Sequence, residues 1–281
     1  MIICFAFCCA RNLESSGGVK KSLVFLLVNF LITWIPWIVV AVTLDHKMKD
    51  GEPLFVLYIL GGLLGPVLSA LIAQRFFGPK SEFKAFLKQI IKFKAPWIAY
   101  PFVIFIPLVF SLLSQVVDGA KLDFPGPYYM VLLTIPMFMI GGGLEEVGWR
   151  GVLLPELLKK FSPIKATIVV SVFWAIWHIP LWFINGTVQT ELNFWWFCAS
   201  VLWMSVLLSV VYIATNSVFL CILMHALFNS NNAYFSTVVP SNEWTEPVGT
   251  IIKIALSLCV FIIVLNMKRK RHVIVSESVL N

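Results

Sequence analysis

Eight stretches of about 20 residues, each nearly free of charge, follow one another along this chain, and no other feature constrains its fold as much. A bilayer holds no water to satisfy a backbone N–H or C=O. An apolar run long enough to cross it must therefore close its hydrogen bonds within itself, as a helix. The runs lie at about 22–44, 54–76, 95–117, 129–149, 164–185, 193–214, 217–236 and 247–267. The expected fold class is all-α: a polytopic transmembrane helical bundle of about eight spans. One membrane domain, 22–267, sits between an N-terminal tail, 1–21, and a basic C-terminal tail, 268–281. Composition agrees, since 59% of the 281 residues are hydrophobic and 12% are charged, where a soluble domain carries about 25% charged residues.

The charges are unevenly placed. With the N-terminus inside, the inner segments hold 17 of the 21 Lys and Arg residues, and the outer ones hold only Lys47, Lys49, Lys121 and Lys253. That bias puts both termini in the cytoplasm, and in a bacterium the membrane is the cell membrane. The run Lys268–Arg271 abuts a span and fits an anionic lipid surface. The net charge of +7 thus speaks for the lipid bilayer as a partner and against nucleic acid. Between spans two and three, Phe83, Phe86, Leu87, Ile90 and Ile91 recur at helical spacing, with Lys84, Lys88 and Lys92 on another face. The pattern predicts an interfacial amphipathic helix within Lys80–Lys94, against the plainer reading of a basic loop. None of the six cysteines forms a CxxC pair, so neither a disulfide framework nor a thiolate metal site is expected. Cys8 and Cys9 could carry lipid, although small apolar residues in a tail explain them as well. Arg75 and Lys253, at span ends, are expected to snorkel.

Ionisable groups at membrane depth are costly and mark function. Here they gather in three spans. The fourth ends in Gly141-Gly142-Gly143-Leu144-Glu145-Glu146-Val147-Gly148-Trp149-Arg150, the fifth holds Trp174 to His178, and the seventh holds His225 to Asn229. Glu146 and Arg150 are four apart, on one helix face, and can pair. Glu145 points about 100° away and can face a cavity. His225 and Asn229 also share a face. The three glycines permit close helix packing or the approach of a substrate backbone. A glutamate near a histidine can take a proton from water, and His and Asn donors can stabilise an oxyanion. Glu145, His178 and His225 could equally ligate Zn²⁺, though no HExxH helix is present. Asn229, one turn from His225, fits a donor better than a ligand and favours the metal-free reading. No GxSxG elbow appears, and Cys221 stands one turn before His225 without an obvious partner.

At these residues the chain resembles the CAAX-protease and bacteriocin-processing enzyme (CPBP) family, which includes the type II CAAX endopeptidases. That family carries EExxxR, FxxxH and HxxxN or HxxxD on separate transmembrane helices. The counterparts here are Glu145 to Arg150, Trp174 to His178 and Asn229 with His225, within roughly Leu132 to Asn231. One departure is Trp174, which stands where the family has Phe, with Phe173 just before it. The resemblance implies that Glu145 and His178 activate the attacking water, that His225 and Asn229 form the oxyanion site, and that Glu146 and Arg150 support them. It leaves open whether a metal takes part.

The expected function is an intramembrane endopeptidase cutting a peptide or membrane-protein substrate at the cytoplasmic side. The alternative within the family is a non-proteolytic scaffold, immunity or regulatory protein, against which every motif position is filled. A transporter with a proton relay is a third class, and the lack of an internal repeat opposes it.

Overall fold

The computed structural model describes residues 17–117, 126–235 and 245–280. Among them every regular element is helical. In chain order these are α1 (Gly17–Thr43), α2 (Pro53–Phe77), α3 (Lys80–Ile90), α4 (Ala99–Val117), α5 (Tyr129–Ile140), α6 (Glu146–Gly148), α7 (Leu154–Leu158), α8 (Pro163–Trp177), α9 (Phe194–Thr215), α10 (Val218–Phe235) and α11 (Thr245–Leu280). Cys4, Cys8, Cys9, Arg11 and Lys121, with the readings attached to them, lie outside the described residues.

Among the described residues, seven helical segments are long and apolar enough to cross a membrane. The remaining expected span is α10, 18 residues long, whose second half carries Asn229, Ser230, Asn231 and Asn232. Most of α10 is buried inside the bundle. It meets protein rather than lipid, so it tolerates polar residues that a lipid-facing helix would not. The fourth span also differs from expectation. It is broken after Ile140 and resumes through a 3-10 turn (Gly143–Glu145), the short α6, a π turn (Trp149–Leu153) and α7.

The helices alternate in direction, which gives the bundle two distinct ends. At the first, Lys21 bonds Glu82 at 2.5 Å and Glu156 at 2.8 Å, and Lys92 donates to the Thr215 carbonyl at 2.7 Å. Asn216, in the left-handed region at φ 50°, makes the tight turn from α9 to α10 there; asparagine enters that region at little cost. At the second end, Tyr128 donates to Asn231 at 2.8 Å and the Met48 N–H to the Asn185 carbonyl at 3.0 Å. The amphipathic helix α3 lies at the first, basic end. It inserts Phe86 against Gly151, where a Cβ would stand 2.9 Å from the ring, while Leu87 and Ile91 stay exposed.

The α1–α2 hairpin depends on small residues. Thr33 donates to the Gly61 carbonyl at 3.0 Å, and a Cβ on Gly61 would stand 2.8 Å from the Pro36 ring. Backbones approach this closely in membranes only where side chains are absent or small. Lys253 departs from the expected snorkelling. Its ammonium turns inward, donates to Ser114 and lies 5.5 Å from the Trp203 ring centroid. At the C-terminal end the helix continues through the basic run, and Lys268 caps the Ile213 carbonyl.

The Lys21 cluster ties α1, α3 and α7 together with both Lys21 and Glu156 buried. Hydrogen bonding to the Lys21 ammonium holds the Glu82 carboxyl below the usual carboxylate range. Lys21→Met should destabilise the folded protein by up to about 3 kcal/mol, less than a fully orphaned buried charge because Lys159 still reaches Glu156. Chemical unfolding in detergent checks this. The double variant Lys21→Met/Glu156→Gln should be little worse than the single one.

Candidate active site

The break in the fourth span has a local cause. A Cβ on Gly142 would run into the Asn229 amide and stand 3.4 Å from His225 Nε2, and one on Gly143 would stand 2.8 Å from the Ile222 carbonyl. The glycines let this segment lie directly on α10. The following π turn places Trp149 to Leu153, all buried, deep in the core. Such turns are frequent at functional sites because they re-aim side chains.

Glu146 and Arg150 are wholly buried and paired at 2.9 Å. Both have further partners. Glu146 Oε1 lies 2.8 Å from His225 Nδ1, and Arg150 donates to Ser205 Oγ at 2.9 Å. The guanidinium also sits 4.7 Å from the Trp174 ring centroid. Motif spacing predicted the pair. It did not predict that Glu146 would hold the histidine of the third motif, nor that Ser205 would close the network, because neither contact is local in sequence.

Glu145 ends the 3-10 turn and faces the other way. Its Oε2 accepts from Trp174 Nε1 at 2.7 Å, and Oε1 has no hydrogen-bond partner among the described residues. His178 lies just past the end of α8, where Pro180 then shapes a 3-10 turn over Ile179–Phe183. Its Nδ1 lies 2.8 Å from the Trp174 carbonyl. Trp177 and Phe197 pack edge-on to its ring, at 4.7 and 5.0 Å between centroids. A carbonyl and a carboxylate can only accept, so both histidines carry a proton on Nδ1, and their chemistry is left to Nε2.

Glu145, His178, His225 and Asn229 line one cavity of about 430 Å³, with aromatic walls that include Trp37, Tyr58, Phe197 and Trp203. Glu146 and Arg150 lie behind it. The lining runs from Glu145 to Gln189 and the exposed Leu192, in the connection between α8 and α9. That is the end opposite α3. Toward the basic end the cavity is stopped by buried Glu146, Arg150, Trp149 and Leu153. On the basic side of Glu145 the ion pair and the π turn fill the space.

Among the described residues no three His, Cys, Asp or Glu side chains are grouped so as to hold a metal ion, and Glu145, His178 and His225 are not such a set. Cys221 is a packing residue: it is buried, and its thiol points to the Ser217 carbonyl at 3.3 Å.

The family model described as "Type II CAAX prenyl endopeptidase Rce1-like" matches residues 127–231. The protein named CAAX prenyl protease 2 from Methanococcus maripaludis is 25% identical over 228 residues, covering 74% of this chain and 82% of the relative. The family match begins beside α5 and ends within α10, so it spans all three motifs and most of the residues around the cavity. Over the stretch that carries all three motifs the chain is thus similar to CAAX prenyl endopeptidases.

Proposed function

We propose that the protein is an intramembrane endopeptidase in which Glu145 and His178 activate a water molecule while His225 and Asn229 hold the oxyanion. The observation that carries this reading is the convergence of these four groups, from three separate helical segments, on one cavity. Glu145 has a free carboxylate oxygen, and His178 has a free Nε2 lone pair once Nδ1 is engaged by the Trp174 carbonyl. Both can accept from the same water. Attack on a peptide carbonyl builds negative charge on its oxygen, and the Asn229 amide can donate to it. With Nδ1 given to Glu146, His225 donates from Nε2 only when both ring nitrogens carry protons. The proton taken by Glu145 then passes to the leaving amine.

The proposed route uses no metal. The substrate is a peptide or a segment of a membrane protein, and the aromatic walls fit apolar side chains. Both termini are placed in the cytoplasm by the lysine and arginine distribution. The substrate then enters from the opposite face, beside Gln189 and Leu192.

Glu145→Gln keeps the shape of the side chain and removes its basicity, so it should abolish cleavage while the protein still inserts and folds. Asn229→Ala should lower turnover by about 10²–10³, with modest change in KM and melting temperature. Wild-type turnover in Asn229→Ala would make Asn229 a packing group, worth on average ~0.6 kcal/mol in a membrane. The purified wild-type protein should keep its activity after treatment with a strong chelator.

Entry is tested by labelling. In a background without native cysteines, Gln189→Cys should react with a membrane-impermeant maleimide in intact cells, and Lys88→Cys only after permeabilisation. The reverse pattern would invert the bundle and return the cavity to the cytoplasmic face.

A further inference from the structure

The second motif carries Trp174 where the family pattern has phenylalanine, and the structure gives that difference a chemical meaning. We propose that Trp174 is a positioning residue for the hydrolytic step: its indole N–H grips one oxygen of Glu145 and leaves the other aimed at water. The inference rests on the reading of Glu145 as the base, and it gives the first position of the second motif a role that a phenylalanine there could not fill.

Trp174 touches Glu145, His178, His225 and Arg150. Its N–H lies 2.7 Å from Glu145 Oε2, and its carbonyl holds His178 Nδ1 at 2.8 Å. Its ring meets the His225 ring edge-on at 5.4 Å and covers the Arg150 guanidinium at 4.7 Å. The carbonyl contact would survive any side chain, and a phenylalanine ring could make the stacking contacts. Only the N–H contact needs tryptophan.

Packing alone does not account for that contact. Trp149, Trp177 and Trp203 are also buried, and none of their indole nitrogens has a hydrogen-bond partner among the described residues. This core therefore tolerates an unsatisfied indole N–H, and burial imposes no need for Trp174 to find one. A carboxylate on a glutamate chain turns easily about its last torsion. A charge-assisted hydrogen bond to one oxygen removes that freedom and fixes where the second oxygen points. Activation of water depends on that direction, whereas binding of the peptide along the cavity walls does not. The effect should therefore fall on kcat rather than KM.

The test replaces Trp174 by phenylalanine and, through an expanded genetic code, by 3-benzothienylalanine, which keeps the bicyclic shape and exchanges the N–H for sulfur. Both variants should lose kcat by roughly tenfold or more, the size of a lost hydrogen bond to a charged group, with KM within about twofold. Trp149→Phe is the control. It removes a fully buried indole N–H that has no hydrogen-bond partner among the described residues, so its melting temperature gives the stability cost of losing an indole here. Wild-type kcat in the benzothienyl variant overturns the inference, and so does a loss confined to KM. Glu145→Gln, measured alongside, separates the two levels. If it still cleaves, the base assignment fails. If it is inactive while the benzothienyl variant is normal, only the role of Trp174 fails.

Discussion

The buried pair of Glu146 and Arg150 is the interaction on which the rest of the site depends. Taking two charges out of water costs several kcal/mol per ion, and their attraction offsets this only when the remaining hydrogen-bonding capacity is also used. Here three other helices take up part of that capacity: Ser205 from α9 receives a guanidinium N–H, the Trp174 ring from α8 covers the cation, and His225 from α10 donates to the carboxylate. Each helix is thereby set in register against the fourth span. A purely apolar seam would let the helices slide by a turn with little change in contact energy, because lipid solvates Leu and Val about as well as protein does. The pair supplies the register that hydrophobicity alone cannot supply in a membrane.

Charge balance follows from the same pair. The site holds two carboxylates, Glu145 and Glu146, and one permanent cation, Arg150. The Nδ1 of His225 faces Glu146, while that of His178 faces the Trp174 carbonyl. The same residue type thus meets a carboxylate in one place and a neutral carbonyl in the other, and in the proposed reaction this difference separates the base from the oxyanion donor.

Much of this was legible in the sequence, and the limits have physical reasons. Most span boundaries fell within about five residues of the helices, since length and apolarity are dictated by the bilayer; the fourth helix instead stops at Ile140 and the last runs on to Leu280. The Glu146–Arg150 pair was legible because four residues make one helical turn. The break at Gly141–Gly143 was not. Its cause is the Asn229 amide and the Ile222 carbonyl on a helix some eighty residues away, and a glycine run reads equally as flexibility or close packing. The Trp174 donor was not legible, because sequence compares side chains by kind and does not show where an N–H points. Lys253 was read as a span-end cation turned to water, because only the fold brings Ser114 and Trp203 to it.

The same polar core also decides how water and lipid are kept apart. Hydrolysis needs water at Glu145, yet a path open at both ends would let ions leak across the membrane. Below Glu145 the space is filled by the π turn, with Trp149, Val152 and Leu153 almost without exposure. Above it, the cavity continues to the connection between α8 and α9. In the proposed reaction, water, peptide and the exchanging proton would then all belong to one side. Helix α10, which carries His225 and Asn229, can hold several polar residues because it faces the cavity and its neighbours rather than lipid. The lower apolarity that sets α10 apart from the seven helices able to stand in a bilayer is thus compatible with its place inside the bundle.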